Sequence, residues 1–241
     1  MQEVIAKPCL QQIAPNIWSA KQSQNYMGLN VGTRMTVIRL SNQKLAVISA
    51  IAPTDELRAE LSELGSVGHI IAPNLFHYLY AESFKACYPD ATLWATAGLR
   101  AKKPNLPIDK TIQPGDGELW SDLEAVFFKG LKTLSFNGFD AFNEWVFFHG
   151  ASRTLILTDV AFHYDASFPF VEQLGARVLG CYNVLSPSLL ERVATKDRES
   201  IRSAVEKVLL WDFDRVIVAH GRIIESDGKT MFSVGYERFL G

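Results

Sequence analysis

Three short apolar runs in this 241-residue chain each lead to a residue able to hold a metal ion, and that pattern restricts the fold more than any other feature. The clearest is Arg153 to Asp159, RTLILTD, where Leu155, Ile156 and Leu157 give way to a carboxylate. A run of this length without polar alternation is expected to be a strand buried on both faces. The others are GHIIAP, followed by His77, and RVIVAH, which ends in His220. Sheets of such strands need cover on both sides, and their ligands gather at the carboxyl ends of the strands. Two imidazoles and a carboxylate delivered there make a candidate metal site.

The chain is long enough for one large domain and has no linker-like segment, so residues 1–241 are expected to form a single domain. Hydrophobic residues at 48% and charged residues at 21% suit a chain with a sizeable core. A net charge of −2 without a basic stripe argues against nucleic acid as a partner. The three cysteines, Cys9, Cys87 and Cys181, form no CxxC pair and read as plain thiols. No apolar run approaches the ~20 residues needed to span a bilayer, and MQEVIAKPCLQQ lacks the core of a signal peptide. A cytoplasmic protein with no membrane partner is expected.

Along the chain, the first fifteen residues carry little signal, and Ile17-Trp18 opens an outer strand. Gly28 and Gly32 mark a loop. Arg34 to Leu40 alternates like a strand with one wet face, and Lys44 to Ile51 pairs with it as a hairpin. Thr54 caps a helix that runs to Gly65. A strand at Gly68 to Ala72, a helix at Leu75 to Tyr88 and a strand at Ala91 to Thr96 follow, then a surface excursion from Gly98 to Pro107. Leu119 to Leu131, Thr133 to Phe136, Glu144 to His149 and Thr154 to Thr158 read as successive antiparallel strands. Helices are expected near Pro169 to Leu174, from Ser186-Pro187, from Asp197 to Leu210 and over the C-terminal GKTMFSVGYERFL, with a last strand at Arg215 to Ala219. Two halves, each of sheet then helix, predict an α/β fold: a four-layer αββα sandwich with mixed sheets.

The carriers GSVGHIIAPNLFH, ending at His77, SRTLILTD, ending at Asp159, and VIVAHG, ending at Gly221, resemble the metallo-β-lactamase superfamily and within it the DUF4336 family. The resemblance spans most of the chain. The superfamily's HxHxDH signature falls on Ala72, Pro73, Asn74, Leu75, Phe76 and His77, so only its last histidine survives. The resemblance implies that the first metal's ligands are lost, with Ala72 and Asn74 in two of their places and the third near Asp140. It also implies that His77, Asp159 and His220 remain from the second metal's set, which loses its aspartate to Phe76. These three suit one Zn²⁺, Fe²⁺ or Mn²⁺ with open positions for water.

Around them, Asn74, Asp140, Glu144, His149 and His163 are candidates for outer contacts or for the cleft. Glu144 could orient a ligand, His149 is expected to pair with Ser152 or Arg153, and His163 to line the cleft. Asp227-Gly228-Lys229-Thr230 is not a P-loop, because Ile223 stands where its first glycine belongs, and no G-x-S-x-G elbow surrounds Ser152 or Ser186. The expectation is a metal-dependent hydrolase of ester, thioester or phosphoester bonds acting on a small molecule. The alternative is a non-catalytic member of the fold, without a metal, whose cleft serves as a binding or interaction surface for a small molecule or a protein partner.

Overall fold

The computed structural model describes residues 9–26, 29–115, 117–135 and 138–241. Residues 1–8, the loop glycine Gly28 and the strand end expected at Phe136 lie outside these. The first half of the chain runs β1 (Gln11–Ala14), β2 (Ile17–Gln22), a small hairpin of β3 (Asn25–Tyr26) and β4 (Leu29–Asn30), β5 (Thr33–Arg39) and β6 (Lys44–Ile48). It continues with α1 (Asp55–Leu64), β7 (Ser66–Ala72), α2 (Ala81–Cys87), β8 (Thr92–Ala95), α3 (Leu99–Lys102) and β9 (Lys110–Thr111). The second half runs β10 (Glu124–Phe128), β11 (Lys132–Ser135), β12 (Gly138–Ala141), β13 (Glu144–His149) and β14 (Thr154–Ile156). Then come α4 (Phe170–Leu179), α5 (Leu189–Ala194), α6 (Arg198–Leu209), β15 (Arg215–Ile217) and α7 (Gly228–Leu240).

Seven strands form one sheet in the order β1-β2-β5-β6-β7-β8-β9, antiparallel as far as β6 and parallel from β6 to β9. Four form a second, β10-β13-β14-β15, in which only β14 and β15 are parallel. Side-chain alternation sorts the core into three seams. Leu45, Val47, Ile70 and Ala72 face α1 and α2, meeting Leu57, Leu61 and Phe84. Ala46, Ile48 and Ile71 turn the other way and meet Phe147, Ile156 and Ile217 of the second sheet. Val146, Phe148, Leu155 and Val216 face α6 and α7, packing on Ile201, Val205, Phe232 and Tyr236. Helix, sheet, sheet, helix is the four-layer sandwich. Among the described residues no helix is long and apolar enough to cross a membrane.

Local chemistry sets several boundaries. Thr54 Oγ1 accepts from the Leu57 N–H at the start of α1, and Gly65 ends it at φ 152°, where a Cβ would come within 2.6 Å of the Gln43 carbonyl oxygen. Other boundaries depart from the sequence reading. The expected wet face of Arg34 to Leu40 is absent, because β5 lies between β2 and β6 with both its faces covered, and Arg34 itself is buried. The strand from Ile17 is not the sheet edge, since β1 pairs outside it. The helix expected from Leu75 begins only at Ala81, because the Leu75 N–H goes to Phe142 O while those of Phe76 and His77 go to the Asn74 side chain. Of Leu119 to Leu131 only β10 is strand, with Leu119 and Leu123 packed in the seam between the sheets. β11 joins β12 in a separate hairpin. The helix expected near Pro169 runs on to Leu179, and the next is capped by Ser188 rather than Ser186.

Candidate metal centre

The parallel strands of the two sheets deliver the site. Ser49 follows the end of β6, Asn74 and His77 follow β7, Asp159 follows β14 and His220 follows β15. Their side chains therefore meet at one edge of the sandwich, as expected of carboxyl ends of parallel strands.

Asp159 Oδ1 lies 3.2 Å from His77 Nε2 and 3.2 Å from His220 Nε2, and the two nitrogens are 3.1 Å apart. Donors bonded to one ion at about 2.0–2.1 Å stand roughly 2.9 Å apart in an octahedral shell and roughly 3.4 Å apart in a tetrahedral one. The observed triangle falls between, so these residues fit a single divalent ion of that size. They are the one histidine, cysteine or acid group among the described residues whose ligand atoms converge in this way.

The outer nitrogens of both rings are held. His220 Nδ1 is 2.6 Å from the Gly32 carbonyl oxygen, which can only accept, so Nδ1 carries the hydrogen and Nε2 keeps its lone pair for the centre. His77 Nδ1 is 2.6 Å from Ser49 Oγ. Ser49 has φ 58°, a left-handed conformation uncommon outside glycine, and this turn takes the chain out of β6 beside the imidazole.

Asp159 is held with equal care. Its Oδ2 accepts from Asn74 Nδ2 at 2.8 Å, and the same amide nitrogen reaches Glu144 Oε2 at 2.8 Å and Thr158 Oγ1 at 3.0 Å. Glu144 is fully buried and accepts the backbone N–H groups of Thr158 and Asp159 at 2.7 and 2.8 Å. A buried carboxylate so placed fixes the direction in which the chain leaves β14. Asn74 Oδ1 accepts from the N–H groups of Phe76 and His77 at 2.8 and 2.7 Å, which leaves its oxygen engaged and away from the trio.

Electrostatics favours positive charge at the centre. Burial opposes ionisation of Asp159, yet the charge and hydrogen bonds of the two imidazoles outweigh it and hold the carboxyl well below the usual range. Burial likewise disfavours a charged His77, and the charge and hydrogen bond of Asp159 more than offset this and raise its pKa. Glu144 is pushed up by burial and by Asp159, against the pull of its three donors.

Arg34 reaches across from the first sheet to hold the turn carrying His220. One guanidinium nitrogen donates to the Val218 carbonyl oxygen and the other to that of Gly221, the latter at 2.8 Å. Burial pulls this group down to about 10, which leaves it charged at neutral pH. At Gly221, φ is 107° and a Cβ would come 2.0 Å from the His163 carbonyl oxygen, so only glycine fits after His220.

The site thus gathers His77, Asp159 and His220 with Asn74 and Glu144 around them. Of the remaining candidates, His149 and His163 lie elsewhere, while Asp140 is paired with a residue of the cavity wall. Asp140 sits on β12 opposite Thr133. His149 is at the far end of β13, with Nδ1 2.7 Å from Ser152 Oγ, about 16 Å along the strand from Glu144. His163 does not line the cleft. It contacts the turn after β15 through its own carbonyl and ring, while Phe162 and Tyr164 on either side face the cavity, as alternation along extended chain requires. Sequence reasoning missed Ser49, Gly32 and Arg34. Ser49 ends an apolar run as Asp159 does, which was a usable signal; Arg34 offered none, because only the sheet order shows it to be central.

Fold and site together define a metallo-β-lactamase fold. A metallo-β-lactamase from Hirschia baltica superposes with a TM-score of 0.63 at 12% identity, over 97% of this chain and 97% of that one. One from Pontibacter korlensis gives 0.62 at 10% identity, over 98% and 100%. The mono-zinc form of FIM-1 from Pseudomonas aeruginosa gives 0.62 at 9% identity, over 100% and 99%. Comparison with curated protein sequences gives no match. The chain belongs to the DUF4336 family, a domain of unknown function, whose profile matches residues 14–182. The match takes in His77 and Asp159 and ends before His220.

Proposed function

We propose that this protein is a metal-dependent hydrolase of ester, thioester or phosphoester bonds, working with one divalent ion held by His77, Asp159 and His220. The observation that carries this reading is the convergence of two imidazole nitrogens and a carboxylate oxygen, 3.1–3.2 Å apart, beside an open cavity. An ion held there supplies a bound water of pKa lowered towards neutrality and a Lewis acid for the scissile group. The chain's own residues do the rest. Gly32 and Ser49 keep both imidazoles edge-on to the centre, and Asn74 and Glu144 keep the carboxylate turned towards it.

A two-ion clamp is not supported by the residues present. Ala72 is packed in the core under α2, Asn74 is engaged with backbone and carboxylates, and Phe76 packs edge-on against Phe142 at 5.4 Å. The same three positions favour the second reading, a binding protein built on a reduced site.

Metal analysis of the protein purified without added metal or affinity tag is the test. About one equivalent of zinc, iron or manganese is expected, absent from a His77→Ala/His220→Ala variant, with hydrolysis of ester substrates lost on chelation and regained with the ion. No binding after incubation with each ion rejects the hydrolase. That same absence of metal supports the second reading, whereas stoichiometric binding without turnover of any ester, thioester or phosphoester rejects the hydrolase but leaves an ion in the site.

A further inference from the structure

The cavity beside the trio has a volume of about 340 Å³, within the size range of small-molecule sites. Phe76, Phe142, Phe162, Leu179 and Leu190 supply much of its wall. Phe76 stands where the superfamily signature has its aspartate, so a position for a charge has become part of an apolar surface. No lysine or arginine is among the described lining residues. The carboxyls there are Asp159 of the trio and Glu191, whose oxygens accept from the Thr133 hydroxyl at 2.6 Å and the Ser188 N–H at 2.8 Å.

Away from the imidazoles of the trio, a carboxylate or phosphate in the body of this cavity would lose its water beside Glu191 with no lysine or arginine in the described wall to pair with it, the costly way to bury a charge. Sites that transfer phosphoryl groups collect arginine, lysine or paired ions around the phosphate oxygens. This cavity offers apolar contact instead. We infer that the cavity takes an uncharged apolar acyl chain, with the ester or thioester carbonyl at the trio, and rejects anionic substrates. The placing of the carbonyl rests on the hydrolase reading; the preference for a neutral chain does not. In the reaction, the oxygen of water bonds to the acyl carbon. The bond from that carbon to the leaving oxygen or sulfur breaks, its electron pair goes with the leaving atom, and a proton from water completes the alcohol or thiol.

The preference is tested by titration calorimetry on the full chain stripped of metal, with 2-octanone, octanoate and octyl phosphate as probes. The ketone is expected to bind at least about tenfold more tightly than either anion. A Leu190→Arg variant, its fold checked by circular dichroism, is expected to weaken the ketone and favour octanoate. Equal or tighter binding of the anions to the parent, or no binding of the ketone, overturns the inference. Because this titration needs neither ion nor turnover, a protein that binds the ketone but hydrolyses no ester disproves the hydrolase alone. One that hydrolyses acetyl and octanoyl esters equally, without binding the ketone, disproves the acyl pocket alone.

Discussion

Asn74 uses both ends of its amide. Its oxygen takes two backbone N–H groups and its nitrogen faces three oxygen acceptors, so the network itself fixes which way the group points. Ser49 has a simpler task, a single contact with His77 Nδ1. Replacing it with alanine removes that anchor without opening the core. Metal affinity is expected to fall about 10- to 100-fold in Ser49→Ala, with the stability of the metal-free protein changed by no more than about 1 kcal/mol. Competition with a chelator of known affinity and a urea titration separate the two effects; unchanged affinity would show that Ser49 does not position the ring. At this scale the sequence displayed the trio, since Asp159 and His220 stand at the ends of apolar runs and His77 five residues beyond one. It did not display Glu144 as buried, because EWVFFH gives no sign of which end of the strand lies inside.

Among elements, α7 shows local preference overruled by packing. Alanine is favoured over glycine inside a helix by about 1 kcal/mol. At Gly235, however, a Cβ would lie 1.7 Å from the Leu185 carbonyl oxygen, which is backbone and cannot swing aside. Gly235→Ala is therefore expected to destabilise the protein by about 3 kcal/mol, in the range of overpacked cores, read from its denaturation midpoint. The segment between β14 and α4 is tied to the turn after β15 by Asp165 and Arg222, 2.6 Å apart. Burial alone would raise the Asp165 carboxyl, but the Ser167 donors and Arg222 bring it from 3.8 down to about 2. A depressed acid contributes stability that is present above its unfolded value and lost as pH falls through the folded one. The parent should lose this contribution between pH 3.8 and about 2, and Asp165→Asn should flatten that part of the curve, as denaturant titrations across the range will report. α1 and α6, capped by Thr54 and Asp197, were legible to within a residue or so, and so was α7, although Asp227 makes no side-chain cap there. The stretch before α2 was not, because its apolar spacing is helical while its N–H groups are claimed by Asn74 and Phe142.

For the whole molecule, the four layers were legible because strands apolar on both faces demand cover on both. Strand order was not, since it is set by contacts distant in sequence. The trio shows how distant: His77 lies 82 residues from Asp159 and 143 from His220, with one ligand from the first sheet and two from the second. Its three atoms meet only when the sheets are docked. Added zinc is therefore expected to leave the refolding rate unchanged and to slow unfolding, raising stability by about 2.7 kcal/mol at a free concentration 100 times its dissociation constant. Stopped-flow refolding and unfolding with and without the ion measure this, and faster refolding with zinc would show that the site assembles early. The order of events in the cell follows from the same geometry. An ion bound as proposed could not guide a nascent chain whose ligands are still far apart, so its loading would be a late event at the cleft of a finished protein. Which ion it took would then depend on what the surrounding pool offers to a preformed set of two imidazoles and a carboxylate.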